Sequence, residues 1–267
     1  MISPLPLAPL PLAPLPLAVL RARIRRLERA GRPGIPSPES GALSFGIKPI
    51  DAHLPEGGLA LGALHEIIGH EVGNIGADGA ASLFSAALLA RLTGPVLWCH
   101  GGQGLFPDLF PPGLAGVGLA PDRVIHVEAG EQKTVLLAME EGLRQRGLAC
   151  VVGEVFRLPM LASRRLALAA EGSGALALVL PRGQGEERAP TAAATRWRVR
   201  PLPTPPGAPG SGRALWGRAL WRLELLRCRG AATASWVVEA PDAAGRLDLA
   251  GVLPDGSAAP VRQGACG

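Results

Sequence analysis

Tyrosine is absent from this 267-residue chain, asparagine occurs once (Asn74), and Lys48 and Lys133 are the only lysines. The formal charge of +5 therefore rests almost wholly on arginine. Two readings of that skew stay open. One is the codon bias of a GC-rich genome toward Ala, Arg, Gly and Pro. The other is a phosphate-binding surface, because guanidinium stays charged and pairs bidentately with phosphate. The arginines are spread along the chain and form no single block, which favours the first. Cysteine is also sparse: Cys99, Cys150, Cys228 and Cys266 lie far apart, with no CxxC pair and no histidine at ligand spacing. Neither a zinc site nor a disulfide framework is expected, and free thiols point to the cytoplasm.

No Ser/His/Asp triad, paired-carboxylate constellation or metal cluster is discernible, so no catalytic residue, metal or cofactor is assigned. His53, His65, His70, His100 and His126 are scattered among strand ends and loops and read as satisfied polar residues, not as bases or ligands. No export signal and no transmembrane helix are expected at the start either. The start, MISPLPLAPLPLAPLPLAVL, is apolar but has no basic head and carries a proline every few residues, which blocks the helix that an export signal or membrane span must form. No contact with a membrane is expected.

What is present is a composition that is 48% hydrophobic with 36 Gly and 27 Pro, enough for one α/β domain with tails. The repeated PLAPLPLAPLPLA is low in complexity and close to polyproline II in its expected shape. From Leu17 to Arg29 the pattern becomes that of a basic amphipathic helix, with Leu20, Ile24 and Leu27 on the apolar side. That helix either docks on the core or serves as an arm for a partner. The linker GRPGIPSPESG completes an N-terminal region spanning 1–41.

From residue 42 strands and helices alternate. Leu64–Ile68 reads as a buried strand, Ala80–Leu92 as an apolar helix, and GPVLWCH and RVIHVEAG as the next strands. GGQGLFPDLFPPGLAGVGL is a Gly/Pro-rich loop, and its GGQG lacks the spacing of a nucleotide fingerprint. GEQKTVLLAMEEGLRQRG is an amphipathic helix, LACVVGEV a central strand, and SRRLALAAEGSGALALVLPRG a helix, a turn and a buried strand. This order predicts a mostly parallel, twisted sheet flanked by helices. TRWRV is a short strand and WRLELLRCRGAATASWVVEA a β-hairpin. Residues 42–240 are expected to form the core and 241–267 a flexible tail.

The segment LSFGIKPIDAHLPEGGLALGALHEIIG follows the order seen in RecA-family proteins just before their phosphate loop. A working loop is G-x-x-x-x-G-K-[ST], whose backbone N–H groups, lysine and hydroxyl hold phosphates and magnesium. Here the chain reads GHEVGNIGADGAASLFSAALLARL. With Gly69 and Gly79 matched to the outer glycines, extra residues intervene, and Ala80 and Ala81 stand where Lys and Ser/Thr belong. Glu154, near the end of LACVVGEV, stands close to the acidic residue that helps hold magnesium in the RecA pattern. It has no loop hydroxyl with which to share a metal, so pairing with Arg157, Arg164 or Arg165 is the expected role.

Together with SRRLALAAEGSGALALVLPRG and the late tryptophan segments, these stretches make the chain resemble the ImuA family, RecA-like accessory proteins of a bacterial damage-induced mutagenesis cassette. The resemblance implies a RecA-like core with a degenerate phosphate loop and a role in SOS-induced error-prone translesion synthesis without ATP hydrolysis. Its implied partners are an ImuB-type Y-family polymerase relative, an error-prone replicative-type DNA polymerase reached indirectly, and RecA or single-stranded DNA. RecA-family proteins place DNA-binding loops after these strands, so Arg182, Arg188, Arg196, Trp197, Arg198 and Arg200 become nucleic-acid candidates. Against that, Trp197 and Val199 at alternate positions could point into the core while the arginines face water. Leu20, Ile24, Leu27, Arg164 and Arg165 are candidates for partner docking. Two alternatives remain: a divergent DNA-stimulated ATPase, whose phosphate charge would have to come from an arginine such as Arg91, and a SulA-type division inhibitor.

Overall fold

The computed structural model describes residues 41–69, 75–101, 109–182, 189–203 and 218–250, and of residues 75–77 only the helical backbone. Leu20, Ile24, Leu27 and Arg188 lie outside these residues.

Two short strands, β1 (Ala42–Leu43) and β2 (Leu59–Ala60), pair antiparallel around a single helical turn, α1 (Lys48–Asp51). Asp51 organises that turn by accepting from the Ser44 hydroxyl at 2.7 Å and the Phe45 amide at 2.6 Å. The main sheet follows: β3 (Leu64–Ile68), β4 (Val96–His100), β5 (Val124–Glu128), β6 (Cys150–Val155), β7 (Leu176–Pro181), β8 (Thr195–Leu202), β9 (Leu220–Cys228), β10 (Ala234–Glu239) and β11 (Asp248–Leu249). Its spatial order is β11-β10-β9-β8-β3-β7-β6-β4-β5. The six strands from β8 to β5 run parallel, and β9, β10 and β11 add antiparallel neighbours. The predicted mostly parallel sheet flanked by helices is therefore the architecture found.

Helices cover both faces because the central strands are apolar on both sides. Every residue of β6 is buried, as a continuous apolar run demands in a parallel sheet. Cys150, Val152, Leu176, Leu178 and Leu180 pack with Phe84 and Leu88 of α2 (Ile75–Ala90). Val151, Val155, Ala177 and Val179 pack with Val135, Met139 and Leu143 of α4 (Gln132–Arg144) and with Leu166 and Ala170 of α5 (Met160–Ser173). The period of two therefore assigns even positions of β6 and β7 to the α2 layer and odd ones to the α4/α5 layer. Gly153 is an odd position where a side chain has no room: a Cβ there would lie 2.0 Å from Met139 Sδ.

Two segments differ from expectation. A short helix, α3 (Pro111–Gly116), interrupts the Gly/Pro-rich stretch, with proline in its first turn, where the missing N–H has no helical partner to lose. Residues 241–250, expected in the flexible tail, are folded. Leu247 is buried, Gly245 lies against Ala87 and Val117, and β11 extends the sheet edge beside β10. Among the described residues no helix is long and apolar enough to cross a membrane.

The seam between β3 and β8 carries a buried polar group. His65 Nδ1 meets the Thr195 hydroxyl at 2.7 Å, and its Nε2 meets the Ala60 carbonyl at 2.9 Å. Burial pushes its pKa down to about 4, the Ala60 carbonyl pulling weakly the other way. The unfolded chain therefore binds a proton below pH 6.5 that the folded chain refuses, so this contribution is present above 6.5 and is lost as pH falls toward 4. Unfolding free energy should drop by about 2 kcal/mol from this group between about pH 7.5 and about pH 5, read from urea titrations. His65→Gln should flatten that dependence, and an unchanged slope would show that His65 is not its source.

Candidate functional site at the carboxyl ends of the parallel strands

Doubly wound sheets bind ligands where strand order reverses, outside the carboxyl ends of the strands. In this chain β3 ends at Ile68 and α2 begins at Ile75. That start changes the alignment of the phosphate loop. Gly69 opens an eight-residue stretch, GHEVGNIG, that needs no extra residues, with Asn74, Ile75 and Gly76 at the sixth, seventh and eighth positions. Gly79, Ala80 and Ala81, taken from sequence as the loop's end, instead lie inside the helix. They were misassigned because glycine identity guided the match, whereas the helix start fixes where the loop stops. The conclusion about chemistry stands: the lysine and hydroxyl positions hold Ile75 and Gly76.

Glu154 sits at the end of β6 on the α2 face. Its side chain is 6% exposed, and both of its oxygens are engaged. Oε1 accepts from the Trp98 indole N–H at 2.9 Å, and Oε2 accepts from Arg182 Nε at 3.0 Å. Its partner is thus Arg182, not the nearer-in-sequence Arg157, Arg164 or Arg165. Arg182 follows β7 and continues the even positions of that strand, so its side chain enters the same layer. It is 3% exposed. One η nitrogen donates to the Asp78 carbonyl at 2.8 Å, with the Asp78 carboxylate 3.7 Å away, and the other donates to the Ser82 hydroxyl. Burial raises the Asp78 pKa, the Arg182 charge opposing the shift and the Glu154 charge adding to it.

A RecA-like fold implies a magnesium nucleotide at this place, and the residues present do not fit one. No lysine or hydroxyl stands at the loop positions that contact phosphate and metal, and the strand-end carboxylate is already bonded on both oxygens. Arg91 cannot supply the missing charge. It follows the carboxyl end of α2, which at 16 residues places it about 24 Å from the loop. There its guanidinium lies against Gly46, and burial lowers its pKa, the neighbouring Asp51 charge opposing the shift.

Of the other described nucleic-acid candidates, Arg196, Trp197 and Arg198 are also internal, and Arg200 is partly exposed, its side chain at 30%. Trp197 is fully buried, its ring centroid 5.0 Å from Phe45 and 6.0 Å from Trp236. Val199 is buried with it, as strand alternation allows. Arg196 and Arg198, however, do not face water: each side chain is 8% exposed. Arg196 Nε donates to Glu66 Oε2 at 3.1 Å, and the Thr191 hydroxyl completes that cluster by donating to Glu66. Arg198 and Arg200 converge on Glu224 at 3.4 and 2.9 Å. Sequence reasoning missed Glu66 and Glu224 because each carboxylate lies on a strand that pairs with β8 only in the folded sheet.

Of the partner-docking candidates, Arg164 and Arg165 are exposed on α5, and Arg165 also pairs with Glu140 of α4. Leu161 and Leu168 flank them on the same helix and are 72% and 68% exposed.

Comparison with known proteins decides the family. The chain is 36% identical over 214 residues to Protein ImuA from two strains of Caulobacter vibrioides, a match spanning 75% of this chain and 84% of each relative. The chain belongs to the ImuA family. That is the family of a damage-induced mutagenesis accessory protein, as the resemblance implied. No family model matches the chain. Among solved structures, the RadB recombinase superposes with a TM-score of 0.53 at 17% identity, over 78% of this chain and all of that one. That likeness shows the RecA-like fold and nothing further.

Removing one member of the Glu66–Arg196 pair leaves a buried charge unpaired. Arg196→Ala should lower unfolding free energy by about 3–5 kcal/mol in urea titrations. Glu66→Gln combined with Arg196→Met should recover much of it. Equal stability of Arg196→Ala and the wild type would show that the pair is not needed for folding.

Proposed function

We propose that this ImuA-family chain is a non-hydrolytic RecA-like accessory protein of SOS-induced, error-prone translesion synthesis in the cytoplasm. It bridges an ImuB-type Y-family polymerase relative, and through it an error-prone replicative-type DNA polymerase, to RecA or single-stranded DNA. Family membership supports the setting. The observation that carries the non-hydrolytic part is the filled carboxyl-end site, where Arg182, Glu154, Asp78 and Ser82 bond one another. Phosphoryl transfer depends on a positive clamp and a metal held near the phosphates. Here the positive group is bonded inward to protein carboxylates. A RecA-like body without turnover still presents surfaces to partners, and binding needs no hydrolysis.

Calorimetric titration of the full chain with ATP and magnesium should give no saturable heat. Saturable binding together with phosphate release would support the divergent ATPase instead. For the bridging, immobilised full chain should retain an ImuB-type protein, and deletion of residues 1–31 or 251–267 should locate the contact. The second deletion starts beyond β11, since removing residues 241–250 would strip a strand from the sheet edge. Retention of neither an ImuB-type protein nor RecA by the full chain would overturn the bridging role.

A further inference from the structure

In nucleotide-binding relatives of this architecture, a cation joins the acidic strand end to the hydroxyl that closes the phosphate loop. Here that loop position is Gly76, and a cation of the chain joins the strand-end carboxylate instead to Ser82, six residues further along the same helix. We propose that the Arg182 guanidinium takes over the joining role of a metal nucleotide, so that α2, β6 and β7 are held together permanently and the ImuA-family body has one state that nucleotide does not switch. This inference deepens the non-hydrolytic part of the proposed function and rests on it.

The geometry supports that reading in three ways. Arg182 touches each element whose end a ligand would otherwise bring together: Glu154 on β6, Asp78 and Ser82 on α2, and, through its own backbone N–H, the Val155 carbonyl at 2.8 Å. Its placement follows from strand alternation, since Leu178 and Leu180 of β7 face α2 and Arg182 is the next residue in that series. The cluster is also dry and satisfied, with Arg182 3% and Glu154 6% exposed and Trp98 closing the far side of the carboxylate. A planar fork with several donors suits this task better than a point charge, because it bonds a carboxylate, a carbonyl and a hydroxyl in different directions at once.

Thermal melting of the full chain tests the idea. The wild type should melt at one temperature in EDTA, in magnesium and in magnesium with ATP. Arg182→Ala should melt about 6 °C or more lower. Guanidinium chloride on the order of 10 mM should restore at least half of that loss by filling the vacated place, whereas sodium chloride at equal ionic strength should not. A loss smaller than about 2 °C, or a loss on which the two salts act alike, overturns the proposal. If Arg182→Ala does not fold from urea, the yield of refolded protein with and without the same guanidinium concentration is the readout, and equal yields overturn it. A wild-type melting temperature that shifts with magnesium and ATP also overturns the proposal, whereas failure of the non-hydrolytic reading would appear separately, as phosphate release from ATP.

Discussion

A parallel sheet leaves its carboxyl ends with a problem of charge and of cohesion. Strand ends, a helix amino terminus and a strand-end carboxylate converge in one place, and something must hold them together without leaving Glu154 buried and unpaired. In this chain that something is the Arg182 side chain. A buried carboxylate bonded by an indole on one oxygen and a guanidinium on the other is satisfied, and a guanidinium shared with α2 anchors the helix to the sheet. The site of a RecA-like ATPase thereby becomes part of the interior. GHEVGNIG has neither lysine nor hydroxyl at the phosphate positions, and the positive group nearby, Arg182, is bonded to Glu154, Asp78 and Ser82.

The same use of arginine recurs on the opposite face of the sheet. Glu66 holds Arg196 with help from Thr191, and Glu224 gathers Arg198 and Arg200. At the sheet edge Arg218 reaches Glu239 and Asp248, tying β11 to the strands before it. A formal charge of +5 left a phosphate-binding surface open beside codon bias, and these arginines are matched by carboxylates on neighbouring strands. Guanidinium suits this internal role because its fork satisfies several acceptors and its charge persists on burial. What the described surface does expose is a Leu/Arg stripe on α5, formed by Leu161, Arg164, Arg165 and Leu168.

Much of the fold was legible in the sequence. Leu176–Pro181 and the start of Cys150–Val155 are apolar runs of the kind a strand buried on both faces needs. The β9–β10 hairpin announced itself through two apolar runs around RGAATAS. The candidate site was legible only as a deficit. Missing lysine and hydroxyl residues are visible in a string of letters, but the point where a loop yields to a helix is not, and Gly79 was therefore placed in a loop that had already ended at Ile75.

By itself, then, the sequence determined most of the elements, the mostly parallel character of the sheet and the absence of lysine and hydroxyl from the phosphate-loop positions, because each depends on local pattern or on which residue types are present. Only the tertiary structure decided where the arginines went. Glu154 and Arg182 are 28 positions apart, and Glu66 and Arg196 are 130 apart. They meet because β6 lies beside β7, and β3 beside β8. Alternation along a strand says which face a side chain takes, but it cannot say which carboxylate the folding of the sheet will bring to that face. That is why Arg182, Arg196, Trp197 and Arg198, which read as a nucleic-acid surface, are found in the interior.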